Sequence, residues 1–217
     1  MSAITLTDMS GESVPVIGAF PLLYNASGTM DLEASEAWVS AHVEAVQSTL
    51  AQCGAIVFRG FGLVSDADFD RFIQAFSWPN FTYAESLSNA VRRNRTPRVF
   101  TANEAPPDVQ IYLHHEMAQT PVYPSRLFFF CEKPASGGGA TPICRSDWLL
   151  DRLHKVVPNF VDDCANKGVR YSQTMPAQDD LASGQGRSWR STLSTDDKAA
   201  AETKLAQLGY TWRWQAD

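Results

Sequence analysis

The sequence predicts an α+β protein with a mostly β core, a sandwich or small barrel-like roll flanked by helices. Three observations lead there. Short apolar runs around residues 99–101, 110–117, 126–131 and 140–144 are separated by turn-forming proline and glycine, the spacing of a many-stranded β region. Helical patterns lie on either side of that region. The 217 residues, 44% hydrophobic and 19% charged, suit one packed domain.

The elements follow in order. Residues 1–30 read as irregular, with Pro15, Gly18, Pro21 and Gly28 among small polar residues. From Asp31 to Cys53, Trp38, His42, Val43, Val46 and Leu50 recur three or four apart, one face of a helix. Gly54 stands where a helix C-terminal glycine belongs. Ala55-Ile56-Val57-Phe58 reads as a buried strand, broken by Arg59-Gly60-Phe61-Gly62. Ser65 is an N-cap residue for a helix whose aromatic face is Phe69, Phe72, Ile73 and Phe76. Residues 77–97 read as loop and carry the run Arg92-Arg93-Asn94-Arg95, either a grip for phosphate or carboxylate or a solvated surface.

From Arg98 the chain reads as β. Val99-Phe100-Thr101 is strand-like, Pro106-Pro107 marks a turn, and Gln110 to Met117 and Arg126 to Cys131 read as strands. Ser136-Gly137-Gly138-Gly139 turns into Ala140 to Cys144. Ser146 then caps a helix bearing Trp148, Leu149, Leu150 and Leu153. Residues 155–193 are mixed and loop-rich, and Ser194 to Asp197 opens a last helix that Gly209 closes. The tail from Tyr210 alternates large aromatic with polar residues, as a half-buried strand would, and no partner strand follows it.

Composition excludes several classes. A net charge of −6 is a poor match to nucleic acid, which basic surface binds by displacing counterions. No apolar run reaches the roughly 20 residues of a membrane-spanning helix. The N-terminus lacks a basic region ahead of an apolar core, so a cytoplasmic location is expected. Cys53, Cys131, Cys144 and Cys164 form no CxxC pair, so they read as packing thiols rather than a zinc or redox site.

The chemistry concentrates at His114 and Glu116. On a strand, residues two apart share a face, so the imidazole and the carboxylate stand together while His115 points away. One histidine and one carboxylate are two thirds of the facial triad that holds Fe(II) with open positions for substrate and oxygen. Alone, the tripeptide is either half a metal site or an ordinary surface pair. Thr141 follows Gly137-Gly138-Gly139-Ala140, where glycines allow close backbone approach and the hydroxyl can donate to a carboxylate.

Leu113-His114-His115-Glu116-Met117, Pro124 to Cys131, and Gly138-Gly139-Ala140-Thr141-Pro142-Ile143 together resemble the taurine dioxygenase (TauD/TfdA-like) family. The glutamate in place of aspartate is similar to its clavaminate-synthase-like and syringomycin-hydroxylase-like members. Ala55 to Phe61 also resembles the family's N-terminal strand. The resemblance is good from about Gly54 to Leu153 and looser elsewhere. It implies a double-stranded β-helix, or jelly roll. The expected division of residues 1–217 is a helix–strand region at 1–97, roll strands at 98–145 and a helical and loop-rich insertion at 146–217. It implies Fe(II) on His114 and Glu116, and 2-oxoglutarate held partly by Thr141, facing the same pocket. The implied reaction is hydroxylation or desaturation of a small amino-acid-like or carboxylic-acid substrate with O2, with the cofactor and metal carrying the hard step.

Gln110 and Asn103, with Arg187 and Arg190 as further candidates, are loop residues for substrate contact. The family takes its second iron histidine, and the arginine that pairs with 2-oxoglutarate, from a later part of the roll. The other histidines, His42, His115 and His154, all lie earlier. His42 reads as a core histidine on the first helix and His154 as a surface or packing one. The expectation is a chain incomplete at its C-terminus, missing the last part of the roll. The alternatives are a non-catalytic jelly-roll-like binding protein and a half that needs a partner chain. Oligomeric state is not readable from the sequence.

Overall fold

The computed structural model describes residues 3–81, 87–88, 90, 92–102, 104, 109–180 and 186–215. The chain divides into two compact units, Met1–Pro79 with Phe128–Pro158, and Asn80–Leu127 with Asn159–Asp217.

The first unit holds a three-stranded sheet of β1 (Ile4–Thr7), β2 (Leu22–Ala26) and β3 (Ile56–Arg59), in that order. β1 pairs antiparallel with β2, and β2 parallel with β3. Parallel neighbours need a long crossover, and helix α1 (Leu32–Cys53) supplies it. Gly54 ends α1 as expected, while Asp31, read as its first residue, is its N-cap. The Asp31 side chain accepts from the Ala34 N–H at 2.7 Å, and Gly54, at φ 82, donates its N–H back to Leu50 O. Helix α2 (Asp66–Gln74) starts with a capping box: Asp68 N–H donates to Ser65 Oγ, and Ser65 N–H to Asp68 Oδ2.

Register builds the core. Tyr24 lies opposite Phe58, and their rings stack at 5.6 Å. Phe58 in turn meets Phe61, Phe72 and Phe76 edge-on, the arrangement aromatic quadrupoles favour. Val39 and Val46 of α1 are buried with them. Phe128 packs on Phe76 and Phe130 on Phe69, while Phe129 between them is 73% exposed. Helix α3 (Ser146–Val156) closes the unit's described elements. Ser146, expected as its cap, is its first helical residue, and Arg145 precedes it without a capping bond. Arg145 instead forks onto Asp147, through Nε at 3.0 Å and Nη2 at 2.5 Å, and covers the Trp148 ring.

The second unit contains α5 (Trp189–Leu193) and α6 (Lys198–Gln207), around a small core of Leu87, Trp189, Leu193 and Ala201. Asp197 caps α6 by accepting from Ala199 N–H at 2.9 Å, and Gly209 follows at φ 78. α4 (Pro158–Lys167) opens on proline, whose missing N–H costs nothing in a first turn.

Four expectations change. Residues 1–30 are not all irregular: β2 is buried on nearly every residue, so it shows no alternation in sequence, and β1 is only four residues long. Residues 155–193 are not mainly loop, since α4 and α5 lie there. No strand is present among the described residues of 98–145; only the bridge Asn94↔Phe100 forms. Apolar alternation marks strand-compatible sequence, but a ladder needs a partner, and none pairs with these segments among the described residues. The tail likewise forms no strand over 210–215. There Trp214 packs edge-on against Trp189 at 5.0 Å and donates its indole N–H to Glu202 at 2.6 Å. No helix among the described residues is long and apolar enough to cross a membrane.

Candidate active site

The segment that carries His114 and Glu116 lies in the second unit. Its strand was expected to run through residue 117. Residues 111–115 carry no ladder pairing, and a turn occupies 116–119. Met117 sits at φ 58, a left-handed conformation that ends any strand. The turn is tied by Ala118 N–H to His115 O, and by Thr120, whose N–H and hydroxyl both reach Met117 O. Met117 and Thr120 are buried. This anchors the residue before Met117, and the Glu116 side chain is only 12% exposed.

A carboxylate so shielded needs compensation. Arg92 Nη2 provides it, 3.3 Å from Glu116 Oε1. His114 is exposed, and its Nδ1 lies 2.6 Å from Tyr112 O. A carbonyl only accepts, so Nδ1 carries the proton, and in the neutral ring Nε2 keeps its lone pair. That is the tautomer a metal-binding imidazole uses, held by an outer carbonyl. The donor types at 114 and 116 therefore fit Fe(II). Among the described residues no group of three or more histidine, cysteine, aspartate or glutamate side chains is placed to hold a metal.

The other candidates are distributed as follows. Thr141 is exposed and belongs to the first unit. Gly138 and Gly139 before it take φ 66 and 71, and a side chain at Gly139 would meet Ala135 Cβ at 2.7 Å. Gln110 is exposed and accepts from the Tyr112 hydroxyl at 3.1 Å. Asn103 lies outside the described residues. His42, expected in the core, is exposed on α1: it stacks on Trp38 at 4.5 Å, and its Nδ1 is 2.7 Å from Trp38 O. It sits at the rim of the apolar face, where a helix-period count cannot separate rim from centre. His115 and His154 are exposed.

Arg187 and Arg190 serve the fold. Arg187 donates to Ser88 O and Ser191 O at 2.7 and 2.6 Å, and burial pushes its guanidinium below its ordinary value. Arg190 lies over the Trp189 ring and donates to the Ala177 carbonyl. Asp179 accepts from the Ser191 hydroxyl and the Ser188 N–H, each at 2.6 Å, and these bonds hold its carboxyl below the usual range. Sequence reading did not pair Arg92 with Glu116. The arginine run was its only trace.

The family description "Taurine catabolism dioxygenase TauD, TfdA family" matches residues 17–205. The chain belongs to the TauD, TfdA family. Among its relatives, a clavaminate synthase-like protein of Arabidopsis thaliana is 40% identical over 172 residues, covering 79% of this chain and 52% of its own length. The dapdiamide synthesis protein DdaC of Enterobacter agglomerans is 27% identical over 172 residues, covering 79% of this chain and 49% of its own. This TauD-family chain thus spans about half the length of the curated relatives it matches. The matched span takes in both His114-x-Glu116 and the glycine-rich approach to Thr141.

Proposed function

We propose that the protein is a non-haem Fe(II)- and 2-oxoglutarate-dependent dioxygenase that hydroxylates or desaturates a small amino-acid-like or carboxylic-acid substrate. The observation that carries this is the His114 ring, its Nδ1 on a backbone carbonyl and its Nε2 left for a metal, two residues from the shielded Glu116 carboxylate, in a chain of this family. Bound iron, with 2-oxoglutarate and O2, supplies the oxidising power for attack on an unactivated C–H bond.

The chain's own residues position the components. His114 Nε2 and the Glu116 carboxylate are the two protein donors. The Thr141 hydroxyl donates to the 2-oxoglutarate carboxylate, and the glycines before it let that ligand approach the backbone. Gln110 and Asn103 are the proposed polar contacts to substrate. Among the described residues no third metal donor stands with His114 and Glu116.

Succinate release in the presence of Fe(II), 2-oxoglutarate and O2 tests this. The full-length protein is expected to turn over, and His114→Ala and Glu116→Ala to abolish turnover. Thr141→Ala is expected to raise the 2-oxoglutarate concentration needed more than it weakens iron binding. Residues 1–217 alone are expected to bind Fe(II) weakly and release no succinate, because two donors leave the facial set incomplete. A full-length protein that binds its substrate but never consumes 2-oxoglutarate would instead be the non-catalytic binding protein.

A further inference from the structure

The arginine run at 92–95 plays no part in that reading, yet its members separate sharply. The Arg93 side chain is 76% exposed and pairs with Glu104. The Arg92 side chain is 16% exposed and meets Glu116. Arg92 is also anchored behind that contact: its Nη1 donates to Thr101 O at 3.4 Å. Thr101 is itself fixed, since its N–H donates to Arg93 O at 2.9 Å and its Oγ1 accepts from Arg93 N–H at 3.0 Å. Arg95 N–H to Val99 O, at 2.8 Å, closes the same loop. Nη1 of the guanidinium is thus held by a cross-bonded piece of backbone, and Nη2 faces Glu116.

We propose that Arg92 is a positioning residue for the Glu116 carboxylate, fixing its plane by taking Oε1 so that the group meets a divalent metal in one orientation. This rests on Glu116 being a metal ligand, as proposed above. A carboxylate has two oxygens and about four lone-pair sites, so it accepts from a guanidinium and ligates a metal at once. Ligating carboxylates are commonly held by an outer hydrogen-bond donor, and losing that donor typically weakens metal affinity by about 10–100-fold. The opposing idea is that Arg92 merely occupies the metal's place. It predicts the opposite sign: removing the arginine would tighten binding.

Anaerobic titration of the full-length protein with Co(II), read by its visible ligand-field absorption and by competition with a chelating dye, separates the two. Arg92→Gln is expected to weaken Co(II) binding by about 10–100-fold and to shift the absorption bands, with Arg92→Lys between it and the wild type. In a Glu116→Gln background the Arg92 substitution is expected to have no further effect, since the coupling runs through that carboxylate. Unchanged or tighter binding in Arg92→Gln overturns the proposal. If that variant fails to fold, Arg92→Lys carries the test, and binding equal to wild type overturns it. A wild type that binds no Co(II), or a Glu116→Gln variant that binds as wild type does, overturns the ligand assignment and this inference together. Normal Glu116 dependence with an indifferent Arg92 overturns the inference alone.

Discussion

Asp179 shows how a single exposed side chain organises a loop. It takes hydrogen bonds from Ser191 and Ser188, and they lower its pKa in the folded state, the Ser191 hydroxyl first. The sign follows from linkage. Its contribution is whole above the ordinary carboxylate value of about 3.9 and is lost as pH falls through the lower folded value. Asp179→Asn is therefore expected to flatten the acid limb of the stability curve below about pH 4 and leave the neutral region's slope unchanged, as read from urea unfolding at stepped pH. At this scale the sequence was poor about pairing. His114, Glu116 and Thr141 stand out by type and spacing. Nothing in the spacing of Arg92 tells it from Arg93, because burial is decided by the backbone bonds around Thr101.

An apolar face beside a chemical stop made α1 and α2 legible. α1 was readable because its apolar face runs up to Gly54. α2 was readable because Ser65 opens its capping box. β2 was hidden because both its faces are covered, and α5 because five residues are too few to show a period. Two element-scale predictions follow from the same chemistry. Ser65→Ala is expected to cost about 1 kcal/mol, measured as a lower urea midpoint at unchanged slope. Gly62→Ala is expected to cost more, at least about 1–3 kcal/mol. Gly62 sits at φ 68, and a Cβ there would overlap the Met30 carbonyl oxygen, which belongs to the strand-to-helix turn ahead of α1.

Across the whole molecule, large apolar side chains stay in the open along one stretch of sequence. Ile111, Tyr112, Leu113, Phe129, Trp148, Phe160 and Tyr171 are all exposed. Exposed apolar side chains and unladdered β-prone segments invite association. Residues 1–217 are therefore expected to self-associate with rising concentration in sedimentation velocity, and Phe129→Lys to reduce it. The same segments explain why the β region was legible as pattern but not as sheet: pattern is a property of one segment, a ladder of two. The division into two units has a spectroscopic consequence. Trp38, Trp78 and Trp148 fall in the first unit, and Trp189, Trp212 and Trp214 in the second. Replacing either trio by phenylalanine leaves a chain whose indole emission reports on one unit alone, so a matched pair of such variants would separate their melting by colour, with no label attached.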